Sequence, residues 1–321
     1  MSKYVLDYHL HLWPHGSRTT TVTVDDVASW CEKASSRSVP EIAITEHLFR
    51  FKQAKGLLDS VCKSDPSPRL QSNMARYFEN HATADLDGYV TTLHQARAAG
   101  LAVRVGLEVD YYRGHMTEVA NILDGYPFDV LLGSIHWLGA WRFDDIDDPD
   151  SIAEWNAREV DTVWNDYTQA VIELAESGVC DVLSHPDLAK VMGNLPTSCE
   201  DSWQRIAEAL RASGMAAEVS SAGWRKPVGE PYPATGLIRL LCDRGIPVTT
   251  ASDAHRIDDI AYRFEDLALF AESAGCEAIC AFDHRSRLLV PLRGSAHRGV
   301  GAQGISQAAG FIESDHRWTS K

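Results

Sequence analysis

The chain has 321 residues, 45% hydrophobic and 23% charged, an ordinary balance for a globular protein and enough length for one large α/β domain or two smaller ones. Its net charge of −15, from 45 acidic against 30 basic residues, excludes nucleic acid as the main partner, since phosphate backbones call for a basic surface. A small phosphorylated substrate needs only two or three local cations and stays allowed.

Short β-branched runs alternate with amphipathic stretches of helical period, which predicts βα units around parallel strands. The first strand is expected at 4–7, running into Asp7-Tyr8-His9-Leu10-His11. Side chains two apart on a strand share a face, so His9 and His11 aim at one point just beyond its end. Two imidazoles so placed suit zinc, iron or manganese. A helix follows at 24–37, with Val27, Trp30, Cys31 and Ala34 on one face, and a second strand at 41–45. Residues 50–85 break the rhythm and read as a long excursion, either a lid inserted over the site or a disordered loop. A helix at 86–99 stops at Gly100, a glycine well suited to the position just past a helix end. Further strands are expected at 101–107, 129–135, 179–184, 215–219 and 246–251, with helices at 151–177 and 257–274. The barrel domain is expected to span 1–293, and 294–321 reads as a frayed tail.

The seven cysteines, at 31, 62, 180, 199, 242, 276 and 280, lack CxxC spacing and read as reduced thiols. No apolar h-region opens the sequence, and no run approaches the ~20 apolar residues of a membrane span. A cytoplasmic protein is the expectation.

The residues that follow each apolar run carry the functional signal. They are His9, His11 and His15; Glu46-His47; Glu108; His136; His185-Pro186-Asp187; and Asp253-Ala254-His255. A closed parallel barrel gathers its strand C-termini around one mouth, where barrel enzymes keep their chemistry. A histidine after one strand is usually a satisfied polar residue; the same ligand chemistry at six of seven strand ends points to a multinuclear metal site. The donors are nitrogen and oxygen, which excludes a cysteine zinc knuckle, and their number suits two or three divalent ions. Glu108 could bridge two of them, and a bridging hydroxide would be the nucleophile of a hydrolytic reaction. Histidines 81, 94, 115, 284, 297 and 316 fall outside the pattern and read as surface or capping residues.

In this ordered set the chain resembles the polymerase and histidinol phosphatase (PHP) superfamily. The resemblance implies a distorted (β/α)7 barrel with a trinuclear centre of zinc, iron or manganese. Its nine ligands would be His9, His11, His15, His47, Glu108, His136, His185, Asp253 and His255. The short step from His11 to His15 departs from many members and puts His15 in doubt. Gly133-Ser-Ile-His-Trp137, and Glu218-Val-Ser-Ser-Ala-Gly-Trp-Arg-Lys-Pro227 with Tyr232-Pro233 beyond, resemble the histidinol-phosphate phosphatase branch. That branch implies hydrolysis of L-histidinol phosphate in histidine biosynthesis.

Arg225 and Lys226 bring two cations beside the one strand without a metal ligand, and Arg256 is a second candidate phosphate contact. Glu218 could accept from the amino-alcohol end or orient Arg225. Asp253 or His255 could pass the leaving group its proton. Three other readings stay open: a phosphoesterase for another small ester, an amidohydrolase-type enzyme, and a metal-stabilised module without turnover. Many binuclear amidohydrolases place a carbamylated lysine where this chain has His136.

Overall fold

Seven parallel strands pair in sequence order: β1 (Asp7–Leu10), β2 (Ile42–Ile44), β3 (Val103–Asp110), β4 (Val130–Ser134), β5 (Val182–Leu183), β6 (Ala216–Ser220) and β7 (Val248–Ala251). The structure, a computed structural model, describes residues 5–14, 16 and 21–292. The seam between β7 and β1 is made largely by side chains. Thr250 Oγ1 accepts from Leu6 N at 3.1 Å, and His11 N donates to Ala254 O at 2.9 Å. The buried Asp7 carboxylate accepts from Ser252 N (2.7 Å), Ser252 Oγ (2.6 Å) and Ala261 N (2.9 Å). The result is the distorted (β/α)7 barrel expected from the strand-end pattern.

Around it run α1 (Val24–Ser36), α2 (Lys55–Val61), α3 (Pro68–His81), α4 (Leu86–Ala98), α5 (Met116–Leu123), α6 (Pro149–Ala157), α7 (Val160–Ser177), α8 (Glu200–Ser213), α9 (Thr235–Asp243) and α10 (Phe264–Ser273). Strand alternation sorts the residues between these layers. In β3, Val105, Leu107 and Val109 take the apolar face while Glu108 and Asp110 share the other. Close packing of strand on helix is visible at Gly133, where an added Cβ would stand 2.9 Å from Leu174 Cδ2 of α7. Among the described residues no helix is long and apolar enough to cross a membrane.

The opposite end of the barrel is closed by an antiparallel hairpin, Ala278–Asp283 with Ser286–Pro291, that the sequence pattern did not suggest. Charged residues at the strand starts fasten it. Asp283 pairs with Arg97 and Arg104 (both 2.6 Å), Arg285 with Asp181 (3.0 Å), and Asp129 accepts from His284 N (3.0 Å). Asp129, Asp283 and His284 lie close enough to hold an ion, but Arg97 already sits on both carboxylates.

Several expectations change. β1 starts at Asp7 rather than residue 4, because inward polar residues belong to the strand; His9 therefore lies within β1 and His11 one residue past it. The 50–85 stretch is largely helical. Ser67 caps α3 by accepting from Leu70 N, Pro68 opens it, and Leu70, Met74 and Phe78 form its buried face. The expected 151–177 helix is two helices, and α5, α8 and α9 were not anticipated. Cys242 and Cys276 form a disulfide, with Cα atoms 5.6 Å apart, so the reading of all seven as thiols is corrected. Both lie near helix ends that neighbour each other only once the chain is folded. The 294–321 tail lies outside the described residues.

Candidate metal centre

β3 delivers Glu108 to the centre of the barrel mouth, and the other strands deliver imidazoles around it. Its Oε2 lies 2.8 Å from His47 Nδ1, 3.1 Å from His9 Nε2 and 3.3 Å from His11 Nε2. Its Oε1 lies 3.3 Å from His185 Nε2 and 3.4 Å from His136 Nε2, and accepts from Ser134 Oγ. Asp253 Oδ1 closes the ring at 3.6 Å from both His11 Nε2 and His255 Nδ1 and 3.8 Å from His9 Nε2. Eight of the nine expected ligands thus converge; His15 lies outside the described residues.

This crowd fits divalent cations better than it fits itself. His9 Nε2, His11 Nε2 and Glu108 Oε2 are buried without a hydrogen bond of acceptable geometry among the described residues, despite their proximity. Buried polar atoms without partners are rare, and at a cluster of nitrogens and carboxylates they mark a place for a cation. Four overlapping triads keep donor atoms within 4.8 Å: His11-His47-His255, His9-His11-Asp253, His9-Glu108-His185 and His47-Asp110-His136. Shared members are what adjacent ions require.

Electrostatics agree. Burial alone would raise the Glu108 and Asp253 carboxyls, but the surrounding imidazoles hold both well below their usual range. Burial likewise opposes charge on His9, His11 and His136, yet their carboxylate neighbours push all three up, His11 and His136 to about 10. His47 goes well below its usual range because burial wins there. The carboxylates demand positive charge, and bound metals would supply it in place of protons.

Two of the seven described non-glycine residues with positive φ lie in the ring. His185 (φ 30°) and Asp253 (φ 51°) adopt positive φ, a costly region for residues with a Cβ that is tolerated where function fixes it.

The PHP domain family model matches residues 7–222. The chain belongs to the PHP domain family. A probable histidinol-phosphatase of Deinococcus radiodurans is 35% identical over 196 residues, 61% of this chain and 74% of that one. The histidinol-phosphatase of Bacillus subtilis is 26% identical over 282 residues, 81% and 96% of the two chains. Two solved structures share the fold at a TM-score of 0.64. One is histidinol phosphate phosphatase of Lactococcus lactis complexed with Zn, L-histidinol and phosphate (17% identity, 89% of this chain and 99% of that one). The other is a putative histidinol phosphatase of Listeria monocytogenes (20% identity, 82% and 99%). Asp253 and His255 lie beyond the matched PHP segment but complete the ring.

A cavity of about 490 Å³ opens from this ring. Lys226 is on its wall. Arg225 is placed elsewhere: its Nη2 donates to Ser252 O (2.7 Å) and Asp253 O (2.9 Å), fixing the strained backbone that carries Asp253. Arg256 is exposed and outside the cavity wall. Glu218 is fully buried; its inward position on β6 sets it 2.7 Å from His9 Nδ1 rather than on the cavity wall.

Asp110 and the supporting role of Glu46 were missed. Asp110 holds His136 Nδ1 at 2.7 Å, and Glu46 lies 3.7 Å from His11 Nδ1 while accepting from Trp13 N. Carboxylates that grip the far nitrogen of a ligating histidine fix its tautomer and orientation. Asp110 was findable, since it shares the strand face of Glu108 two residues earlier. Glu218→Gln should weaken metal affinity about 10–100-fold while leaving the fold intact. Metal titration of the apoprotein checks this, and an unchanged affinity would reduce Glu218 to packing.

Proposed function

We propose that this phosphatase hydrolyses L-histidinol phosphate to L-histidinol and phosphate, a step of histidine biosynthesis, using two or three divalent ions. The observation that carries the reading is the ring of imidazoles around Glu108 opening into a cavity with both a lysine and carboxylates on its wall. The names of the Deinococcus and Bacillus relatives point to the same substrate.

His9, His11, His15, His47, Glu108, His136, His185, Asp253 and His255 would hold the metals, zinc, iron or manganese. When bound, adjacent divalent ions supply hydroxide at neutral pH and neutralise phosphoryl oxygens. Lys226 adds a point charge for the phosphate. Arg225 orients Asp253 through the backbone. Asp253 Oδ1 lies 3.6 Å from His255 Nδ1, and one of these two residues would return a proton to the leaving alkoxide. Glu218 and Asp110 keep His9 and His136 presenting Nε2 to the ring.

The test is phosphate release from L-histidinol phosphate beside other phosphomonoesters, with elemental analysis of the same sample. The expected result is a preference of orders of magnitude for the histidinol ester with two to three metals per chain. Another preferred ester would remove the biosynthetic role, and absence of both metal and turnover would remove the centre.

A further inference from the structure

Beyond the metal ring the cavity wall is aromatic and acidic. Phe49, Tyr77 and Trp137 supply rings, and the loop after β4 supplies Asp144, Asp145 and Asp147. Arg142, also on the wall, lies 4.0 Å over the Tyr77 ring and is ion-paired with Asp145, so these two cancel. Asp144 is different. Its Oδ1 is buried and has no hydrogen-bond partner among the described residues. Asp144 lines the cavity together with His136, Tyr77 and Tyr232. A buried carboxylate oxygen without a donor is unfavourable until something donates to it.

His81 is a second group on that wall. It ends α3, and its Nδ1 donates to Tyr77 O at 2.7 Å; a carbonyl can only accept, so Nε2 is left as the acceptor on the other edge of the ring. The ring stacks on Tyr77 (4.1 Å between centroids) and meets Phe49 edge-on (5.9 Å); Phe49 in turn stacks on His47 (4.6 Å). One aromatic ring therefore separates His81 from the metal ligands. Burial, with the charges of Arg50 and Arg142 nearby, holds its imidazole below the usual range, hence neutral at pH 7.

We propose that Asp144 and His81 form the subsite that selects a leaving alcohol carrying a protonated nitrogen. Both carry an acceptor and line the cavity whose ring would serve the phosphate. A cationic nitrogen would donate to both, whereas a neutral polyol would leave the carboxylate poorly compensated and an anionic nucleotide would be repelled. The inference rests on the phosphomonoesterase reading above and adds the residues that set its specificity.

The experiment compares kcat/KM for L-histidinol phosphate with that for glycerol 3-phosphate, an ester of an uncharged alcohol, in the metal-loaded full chain. Wild type, Asp144→Asn and His81→Phe are measured, with metal content and circular dichroism for each. Asn keeps the shape and removes the charge; Phe keeps the stacking and removes the acceptor. The ratio of the two kcat/KM values should fall about 10–100-fold in Asp144→Asn, mainly through KM for the histidinol ester. A smaller fall in the same direction is expected for His81→Phe. An unchanged ratio in both variants, against a wild type that prefers the histidinol ester, overturns this inference alone. A wild type with no such preference overturns the substrate reading and this inference together.

Discussion

Glu108→Gln should strip the centre of metal and lower phosphate release by about 10³-fold or more. The substitution conserves volume and removes one negative charge at the point where five imidazoles meet, within 2.8–3.4 Å of its two oxygens. An amide cannot bridge cations, and its NH2 would face ring nitrogens that are themselves meant to face metal. On the proposed mechanism the rate loss follows, because bound ions would supply both the nucleophile and the charge that stabilises the transition state. Elemental analysis and steady-state turnover check the two parts separately. A chelator sharpens the test: it should lower the melting temperature of wild type, since a ligand at 100 times its Kd stabilises by about 2.7 kcal/mol, and leave Glu108→Gln unmoved. Full metal content with normal turnover in Glu108→Gln would place the ions elsewhere.

Much of this site could be read from the sequence because barrel topology converts linear order into proximity. His9, His47, Glu108, His136, His185, Asp253 and His255 are far apart in the chain, yet each follows or ends an apolar run, and parallel strands bring such positions to one mouth. What periodicity could not show is a carboxylate's job. Glu218 and Arg225 look like substrate contacts when read as charges near a mouth. In the fold, strand alternation buries Glu218 against His9, and the turn after β6 aims Arg225 at backbone carbonyls. His81 went the other way, from a bland surface residue to cavity wall beside Asp144, because α3 and the loop after β4 are brought together by tertiary contacts alone. Arg69 of α3 pairs with Asp150 at 3.0 Å, and Asp65 accepts from Ala140 N at 2.7 Å. The C-terminal hairpin was hidden for a similar reason. Its anchors, Asp129 and Asp181, are single acids before strands, and only their arginine partners give them meaning.

Lys190→Met should destabilise the protein by about 3–5 kcal/mol, the range for removing one partner of a buried ion pair. At roughly 2–4 °C per kcal/mol for a domain of this size, the melting temperature should fall by about 6–20 °C. Lys190 and Asp187 are 1% and 0% exposed, deeper than almost any charged residue without a structural reason. The lysine Nζ lies 3.0 Å from Asp187 Oδ2 and 2.8 Å from Glu230 Oε1, and it donates to Pro231 O at 2.8 Å. Asp187 Oδ2 also accepts from Ala234 N at 2.7 Å. The cluster therefore ties the loop after β5, which carries His185, to the segment that carries Tyr232 on the cavity wall. Methionine keeps most of the volume and can pack against Tyr232, whose ring lies 5.2 Å from Nζ, so a loss of stability would report charge rather than a cavity. Adding Asp187→Asn should recover most of the loss, because the amide oxygen still accepts from Ala234 N and no carboxylate is left unpaired. Paired thermal denaturation of the single and double variants reads this coupling. A single variant that loses less than about 1 kcal/mol would mean that water reaches Asp187, as it does at exposed pairs, and that the two loops are held by packing alone.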